Sequence, residues 1–275
     1  MTIIVKPLEG PLGAEVSGFD GRHITAEIAK ELHDAFIKHH VLVYHGPGLN
    51  DDELVEFGKC FGSIEAARKM SPLATRQEIM VISNVRMNGE LVGSLPDGEM
   101  HYHFDRIHQQ KPNKAGVLQG IDIPSHGGDT CFANMVMAYE TLPDHLKKQI
   151  EGKSALNTFT YGTTIDKEKT LNADAPQAVH PLVRTIPETG KKALYACRLM
   201  TDKIIGMSDE ESTKLLNQIF DHVENPKFVY EHKWKAKDIV IWDNRCPSHA
   251  RTDFDASERR LMKRVTVGDD KTPMH

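Results

Sequence analysis

The sequence predicts a mainly β fold, an antiparallel sandwich or barrel to which several helices are added. Two observations lead to this class. Six short runs rich in β-branched, aromatic and other apolar residues are bounded by Gly, Pro, Asp or Asn, as strands commonly are. The helical patterns cluster near the N-terminus and around 207–223 instead of following each strand, which argues against a doubly wound parallel sheet.

Local signals mark where the helices begin. Thr25 precedes apolar residues at helical spacing, and Asn50 opens a second helix with an acidic first turn. Ser208 has a glutamate three positions later, the spacing of a capping box, ahead of another apolar stripe. We also expect a short helix over 137–142 and a further one from Pro143.

The strands are predicted from short apolar runs that are too brief for helices. Each has three to seven residues and is bounded by turn-forming residues. The predicted strands are 41–44, 79–82, 117–123, 193–195, 239–242 and 265–267.

Composition excludes several classes of protein. The chain has 275 residues, with 34 Lys and Arg against 39 Asp and Glu, and this acidic balance argues against a nucleic-acid partner. No apolar run approaches the roughly 18 residues of a membrane span, and the first residues do not resemble a secretory signal. Four cysteines without a CxxC spacing predict a reduced, cytoplasmic protein. Because no repeat or linker interrupts 1–275, we expect one domain.

A histidine-rich segment supplies a candidate metal site. If the segment is extended, the side chains of His101, His103 and Asp105 point to the same face. His249, shortly after the predicted strand 239–242, is the best candidate for a further ligand. Two imidazoles and one carboxylate on one face form the facial triad of non-haem Fe(II) oxygenases, which leaves positions open for other ligands.

The same residues leave other functions open. His101, His103 and His249 could bind zinc in a hydrolase, with Asp105 as the base. Asp105 could also simply accept a hydrogen bond from Arg106 at the end of a strand. A non-catalytic sensor of small acids is a third possibility.

The last predicted strand is rich in arginine. Arg260, Met262 and Arg264 alternate, so they share one face of a strand within 258–267. The segment is either a solvated basic edge strand or a pair of buried clamps, since a guanidinium binds a carboxylate through two parallel hydrogen bonds.

These motifs together resemble the taurine and chlorophenoxyacetate dioxygenases, a family of Fe(II)- and 2-oxoglutarate-dependent oxygenases. The resemblance extends from Pro11 to the arginine-rich strand and implies a double-stranded β-helix core of the jelly-roll, cupin-like type. Four motifs occur in the family's order: His103-Phe104-Asp105, Gly127-Gly128-Asp129-Thr130, His180-Pro181-Leu182-Val183-Arg184-Thr185, and Trp242-Asp243-Asn244-Arg245 leading to His249.

The resemblance implies roles for individual residues. His103, Asp105 and His249 would bind the catalytic iron, and Thr130 and Arg260 would hold the distal carboxylate of the cosubstrate 2-oxoglutarate. The implied reaction consumes O₂ and hydroxylates a small anionic organic substrate, such as a sulfonate or carboxylate, with release of succinate and CO₂. Cleavage of the product can follow hydroxylation. The resemblance also implies a homo-oligomer, a dimer or tetramer.

The substrate site is where this sequence departs from the family. Arg264 matches the arginine that binds the substrate anion in taurine dioxygenase, but Tyr102 replaces a common tryptophan and the sulfonate-binding histidine is missing. Arg68 and Arg198 are additional cations near positions that matter in the family, so we expect all four residues to contact the substrate. Residues 84–97 are expected to form a flexible lid, with hinges at Gly89, Gly93 and Gly98.

Overall fold

The structure, a computed structural model, describes residues 2–96, 100–159, 175–269 and 271–274. Five α-helices lie in these ranges: α1 (Ala26–His39), α2 (Asp51–Gly58), α3 (Met135–Glu140), α4 (Asp144–Ile150) and α5 (Asp209–Val223). None of them is long and apolar enough to cross a membrane. The strands in the same ranges are β1 (Ile4–Pro7), β2 (Ala14–Ser17), β3 (Val41–His45), β4 (Ile64–Glu65), β5 (Ile79–Ser83), β6 (Arg86–Met87), β7 (Glu90–Leu91), β8 (Met100–His103), β9 (Ala115–Asp122), β10 (Thr130–Asn134), β11 (Ser154–Thr158), β12 (Gln177–Pro181), β13 (Val183–Thr185), β14 (Lys192–Leu194), β15 (Thr201–Ile204), β16 (Val229–His232), β17 (Asp238–Asp243), β18 (Pro247–Arg251) and β19 (Leu261–Val267).

Two sheets form the centre of the molecule. The larger has eight strands in the order β1-β2-β3-β17-β9-β19-β4, with β5 also paired to β19, and only the β2–β3 pair is parallel. The smaller has four antiparallel strands in the order β16-β10-β18-β8. Neither sheet closes on itself. The prediction of a mainly β jelly-roll core with added helices is confirmed.

Alternating side chains decide what each face of the large sheet covers. On β3, Val41 and Val43 join a core cluster that includes Phe132 of the small sheet, so this face packs sheet against sheet. Leu42 and Tyr44 point the other way, into a cluster formed with α1 and α2. The large sheet is therefore buried on both faces, and its inner face looks toward the small sheet.

The helix starts follow the local capping signals. Thr25 accepts a hydrogen bond from the Ile28 backbone, and capping boxes open α2 at Asn50 and α5 at Ser208. Helix α3 begins two residues earlier than predicted because the Asn134 side chain caps it.

Strand β19 is central rather than an edge. It pairs with β9 on one side and with β4 and β5 on the other. Met262 lies in the core between the sheets, and Arg260 and Arg264 line a cavity there. The arginine-rich segment is therefore the buried alternative, although Arg260 itself precedes the strand.

A glycine allows the indole of Trp242 to lie flat against β9. Trp242 of β17 is the register partner of Gly116, and a Cβ at position 116 would lie 2.3 Å from the indole Cζ2 atom. The indole in turn lies 4.9 Å from the ring of His249 and 5.1 Å from the guanidinium carbon of Arg264. Gly116 therefore sets the position of a ring that supports two proposed site residues.

We predict that Gly116→Ala destabilises the protein by about 1–3 kcal/mol, because the added methyl forces the buried indole to move. Urea unfolding measures this loss. Gly120→Ala on the same strand is the control, since its closest contact is the movable end of the Ile123 side chain, and it should cost less. Equal losses in the two variants would contradict this account of Trp242.

Candidate active site

Two neighbouring strands of the small sheet bring the histidines together. His103 is the last residue of β8, and His249 is its register partner on β18. Their ring centroids are 4.2 Å apart. Asp105 is not on the strand, as the predicted alternation assumed, but in the turn directly after it. Arg106, with a φ of 56°, continues that turn.

The three side chains have the geometry of a metal site. Nε2 of His103 is 3.9 Å from Asp105 Oδ1, and Nε2 of His249 is 3.6 Å from Asp105 Oδ2. Two donors bound to one ion at ordinary lengths lie at most about 4.2 Å apart. Across the described ranges this is the one group of three or more His, Cys, Asp or Glu side chains close enough to hold an ion. The side chain of His101 is outside it, so the structure does not assemble the three-histidine zinc site.

Neighbouring groups fix the orientation of the ligands. Nδ1 of His103 donates to the carbonyl of His101 at 3.0 Å, which leaves the Nε2 lone pair for a metal. Buried Asn244 accepts from the Asp105 N–H at 2.8 Å and donates to the Asp105 carbonyl at 2.9 Å and to the Asn113 carbonyl at 3.0 Å. The asparagine of the predicted Trp-Asp-Asn-Arg motif thus holds the backbone of a proposed ligand.

The pKa shifts at the site favour an ionised carboxylate on Asp105 and neutral imidazoles on His103 and His249. Burial raises the pKa of Asp105, but the charge of Arg264 and its hydrogen bonds outweigh that effect and hold the pKa well below its ordinary value. Arg264 forks onto Asp105, with hydrogen bonds of 2.9 and 2.7 Å. Burial lowers the pKa of both histidines. Each ligand therefore has a free electron pair at neutral pH, which Fe(II) requires. Arg106, the alternative partner of Asp105, instead pairs with Glu65.

An inner cavity joins the metal-ligand cluster to the residues predicted to bind 2-oxoglutarate. Arg260 is 3% exposed, and its guanidinium donates a hydrogen bond to the Gly128 carbonyl at 3.0 Å. Its Nε has no partner among the described residues, and burial lowers its pKa to about 9. The Thr130 hydroxyl accepts from Trp234 Nε1 at 3.0 Å. The polar residues that line the cavity are the three proposed metal ligands and four residues that can donate hydrogen bonds to an anion: His103, Asp105, His249, Thr130, Arg251, Arg260 and Arg264.

A second, outer cavity of about 260 Å³ opens on the other side of the cluster. Arg68 and Arg264 line it, as predicted for substrate-binding residues, and so does His108. The rest of its lining combines apolar side chains, among them Met80, Met100, Phe159, Leu199 and Met200, with polar ones that include Lys69, Arg106 and Thr266. The two cavities share Leu95, Met100, His103, Asp105 and Arg264, so the metal-ligand cluster lies between them.

Two of the four residues predicted to contact the substrate lie away from both cavities. Arg198 lines neither cavity; its guanidinium binds Glu224 at 3.0 Å and Asp221 at 2.9 Å. Tyr102 leaves the opposite face of β8 from His103 and packs with the helical core beside Cys131. The position of a residue near a motif in the sequence does not show which face of its strand or loop it occupies.

Sequence reasoning also missed two cavity residues. Buried His108 lines the outer cavity beside Phe159, and its Nδ1 has no hydrogen-bond partner in the described part of the chain. Arg251 lines the inner cavity. His108 follows Asp105 by three positions and Arg251 follows His249 by two, so proximity to the ligands was the one available signal.

The predicted lid is described as far as Pro96; Asp97 and Gly98 lie outside the described residues. Strands β6 and β7 form a hairpin that turns at Gly89, whose φ is 85°. Gly93 is packed against β5, since a Cβ there would lie 2.7 Å from the Ser83 nitrogen. Its hinge role therefore stays a prediction, whereas Gly89 has the backbone freedom of a turn.

Comparison with known proteins shows the family of this chain. The sequence profile of the family described as "Taurine catabolism dioxygenase TauD, TfdA family" matches residues 4–266. The chain belongs to this family. The predicted family and the predicted enzyme class, a dioxygenase, are therefore confirmed.

Individual relatives show how the family varies. The chain is 32% identical to an "Alpha-ketoglutarate-dependent 2,4-dichlorophenoxyacetate dioxygenase" of Cupriavidus pinatubonensis, with 98% of this chain and 99% of that protein covered. It is 31% identical to "Pentalenolactone F synthase" of Streptomyces arenae, with coverage of 95% and 94%. A crystal structure of "AAD-2 in complex with Mn(II) and N-oxalylglycine" superposes with a TM-score of 0.83 at 30% identity, covering all of both chains.

We predict that Mn(II) raises the melting temperature of this protein, because binding to the folded state at 100 times the dissociation constant stabilises it by about 2.7 kcal/mol. His249→Ala should remove most of the rise, since it deletes one of three ligands. His101→Ala is the matched control: its side chain is outside the cluster and its carbonyl is retained. If thermal denaturation shows the full rise in melting temperature for His249→Ala, the assignment of this cluster as the metal site is wrong.

We further predict that Asn244→Ala lowers the free energy of unfolding by about 1–3 kcal/mol, because buried backbone groups around Asp105 lose their partners. Metal affinity should fall as well, since the Asp105 backbone is released. Equilibrium dialysis with Mn(II) and chemical denaturation measure the two effects. Exposed Asn217 on α5 provides the control, Asn217→Ala, which should change neither. Unaltered metal binding in Asn244→Ala would show that Asp105 is held by other means.

Proposed function

We propose that this chain is an Fe(II)- and 2-oxoglutarate-dependent dioxygenase that hydroxylates a small anionic organic substrate. The observation that carries the proposal is the inner cavity, which places the His103, Asp105 and His249 cluster and the buried Arg260 around one space. A metal cluster by itself fits several chemistries. A buried cation facing the same space indicates a cosubstrate that binds a metal at one end and an arginine at the other.

The ligand set suits Fe(II). Two imidazole nitrogens and one carboxylate on one side leave adjacent positions open for oxygen donors, the arrangement of non-haem iron oxygenases. When bound there, Fe(II) supplies the activation of O₂ and the oxidation of the substrate C–H bond. The protein's part is to hold the ligands at fixed distances, with Asn244 and the His101 carbonyl as supports.

Arg260 and Thr130 are assigned to the distal carboxylate of 2-oxoglutarate. Arg260 has a buried N–H without a partner in the described ranges, and Trp234 occupies one lone pair of the Thr130 hydroxyl, which leaves its proton free to donate. A carboxylate between the two groups would satisfy both and offset the cost of burying the guanidinium.

The outer cavity is assigned to the substrate. The apolar part of its lining suits a hydrocarbon or aromatic body, while Arg68 and Arg264 offer hydrogen bonds to an anionic group. The fork of Arg264 is engaged by Asp105, but its Nε has no partner among the described residues. The relatives, one named for dichlorophenoxyacetate and one for a lactone, leave the substrate itself open.

The overall reaction balances as one C–H bond, O₂ and 2-oxoglutarate giving one C–OH group, succinate and CO₂. If the attacked carbon bears oxygen, sulfur or nitrogen, the hydroxylated product can eliminate that atom and break the bond. The single domain, the homo-oligomer and the cytoplasmic location stay predictions.

We predict that anaerobic addition of Fe(II) and then 2-oxoglutarate produces the weak visible absorption band of an Fe(II)–2-oxo acid complex. Arg260→Gln should weaken 2-oxoglutarate binding by an amount on the order of 2–5 kcal/mol, the effect of truncating one partner of a buried charge pair. Arg259→Gln is the matched control, because Arg259 is exposed and pairs with Asp122 on the surface.

Turnover provides the second half of this test. A screen of sulfonates, aryloxyalkanoates, sulfate esters and other small acids should identify compounds that increase succinate release in the presence of O₂. No absorption band, together with no succinate from any acid, would overturn the proposed function.

A further inference from the structure

Arg251 occupies a central position in the inner cavity. It lies two residues after His249 on β18, so its side chain leaves the same face of the strand. Its register partner across the small sheet is Thr130. The side chain lines the inner cavity together with Thr130 and Arg260, and the residue is 6% exposed.

Arg251 and Arg260 form a pair of buried like charges. Their guanidinium carbons each lie 5.7 Å from the ring centroid of Phe254, so both cations adjoin one aromatic side chain. Burial is the main cause of the lowered pKa of Arg260, and the nearby charge of Arg251 lowers this pKa further. The charge of Asp129 acts on Arg260 in the opposite direction, and an anion in the cavity between the two guanidiniums would further offset the cost of burying them. A carboxylate has two oxygens, so it can bind one arginine with each.

Arg251 also contacts the segment predicted to act as a lid. Its Nη1 donates to the Leu95 carbonyl at 2.8 Å. Leu95 lines both cavities, and the neighbouring Ser94 is bound to the Val81 carbonyl of β5 at 2.9 Å. One side chain therefore joins the cosubstrate space to the wall of the substrate space.

We propose that Arg251 is a second arginine of the cosubstrate site, which binds the distal carboxylate of 2-oxoglutarate together with Arg260 and links that binding to the position of Leu95. This rests on the proposed function. The competing role is purely structural: Arg251 would fix Leu95 and make no contact with the cosubstrate. The two roles differ in whether the distal carboxylate matters.

The test compares two 2-oxo acids. 2-Oxoglutarate carries the distal carboxylate, whereas 2-oxobutyrate has the same metal-binding end and no distal charge. Each is titrated anaerobically into the Fe(II)-loaded protein, and the absorption band gives its dissociation constant. Arg251→Gln should raise the dissociation constant of 2-oxoglutarate about ten- to hundredfold and leave that of 2-oxobutyrate unchanged. Arg251→Lys, which keeps the charge but loses the fork, should fall between, and Arg259→Gln should match the wild type.

Hydrogen exchange tests the link to Leu95. In the wild type, 2-oxoglutarate should slow amide exchange in peptides covering 84–96, and 2-oxobutyrate should slow it less. In Arg251→Gln the two acids should act alike, because the residue that distinguishes them is gone.

Each outcome decides the proposal. The proposal is overturned if Arg251→Gln weakens the binding of both acids equally, or if it does not weaken the binding of 2-oxoglutarate. In either case, a band in the wild type leaves the proposed function standing. If the wild type gives no band, the proposed function itself fails. If Arg251→Gln does not fold, Arg251→Lys decides, since a selective loss of 2-oxoglutarate affinity supports the proposal and an unselective or absent loss overturns it.

Discussion

The pairing of β8 with β18 is the constraint on which the rest of the site depends. It places His103 opposite His249, and the turn after β8 then brings Asp105 to both imidazoles. The next strand of the small sheet, β10, contributes Thr130. The large sheet faces this surface and contributes Arg264, so strand pairing brings together site residues from distant parts of the chain.

Positive charge is concentrated inside a molecule whose overall charge is −5. Arg264 pairs with Asp105, and Arg251 and Arg260 adjoin one another around the inner cavity, with the charge of Asp129 acting on Arg260. Burying a guanidinium is costly, and a nearby carboxylate offsets part of that cost.

The cluster lies between two cavities that both combine cations with apolar side chains. Arg251, Arg260 and Arg264 line the inner cavity and Arg68, Arg106 and Arg264 line the outer one, while Leu95 and Met100 line both. Trp242 packs beneath His249 and Arg264, and Gly116 leaves room for it, so the apolar core between the sheets also supports the polar site. Pockets that combine apolar walls with a few charged groups are typical of sites for small organic ligands.

The sequence by itself determined the features that depend on local signals. Caps at Asn50 and Ser208 fixed helix starts, short apolar runs predicted the long strands of the large sheet, and the family's motifs pointed to the metal-ligand set and Arg260. Only the tertiary structure decided which face each remaining side chain occupies. Arg198 binds carboxylates in α5 and directly after it. Tyr102 points away from the cluster, and Arg251 faces the inner cavity. These outcomes depend on partners far apart in the chain, whose proximity is set by strand pairing and sheet packing rather than by any local pattern.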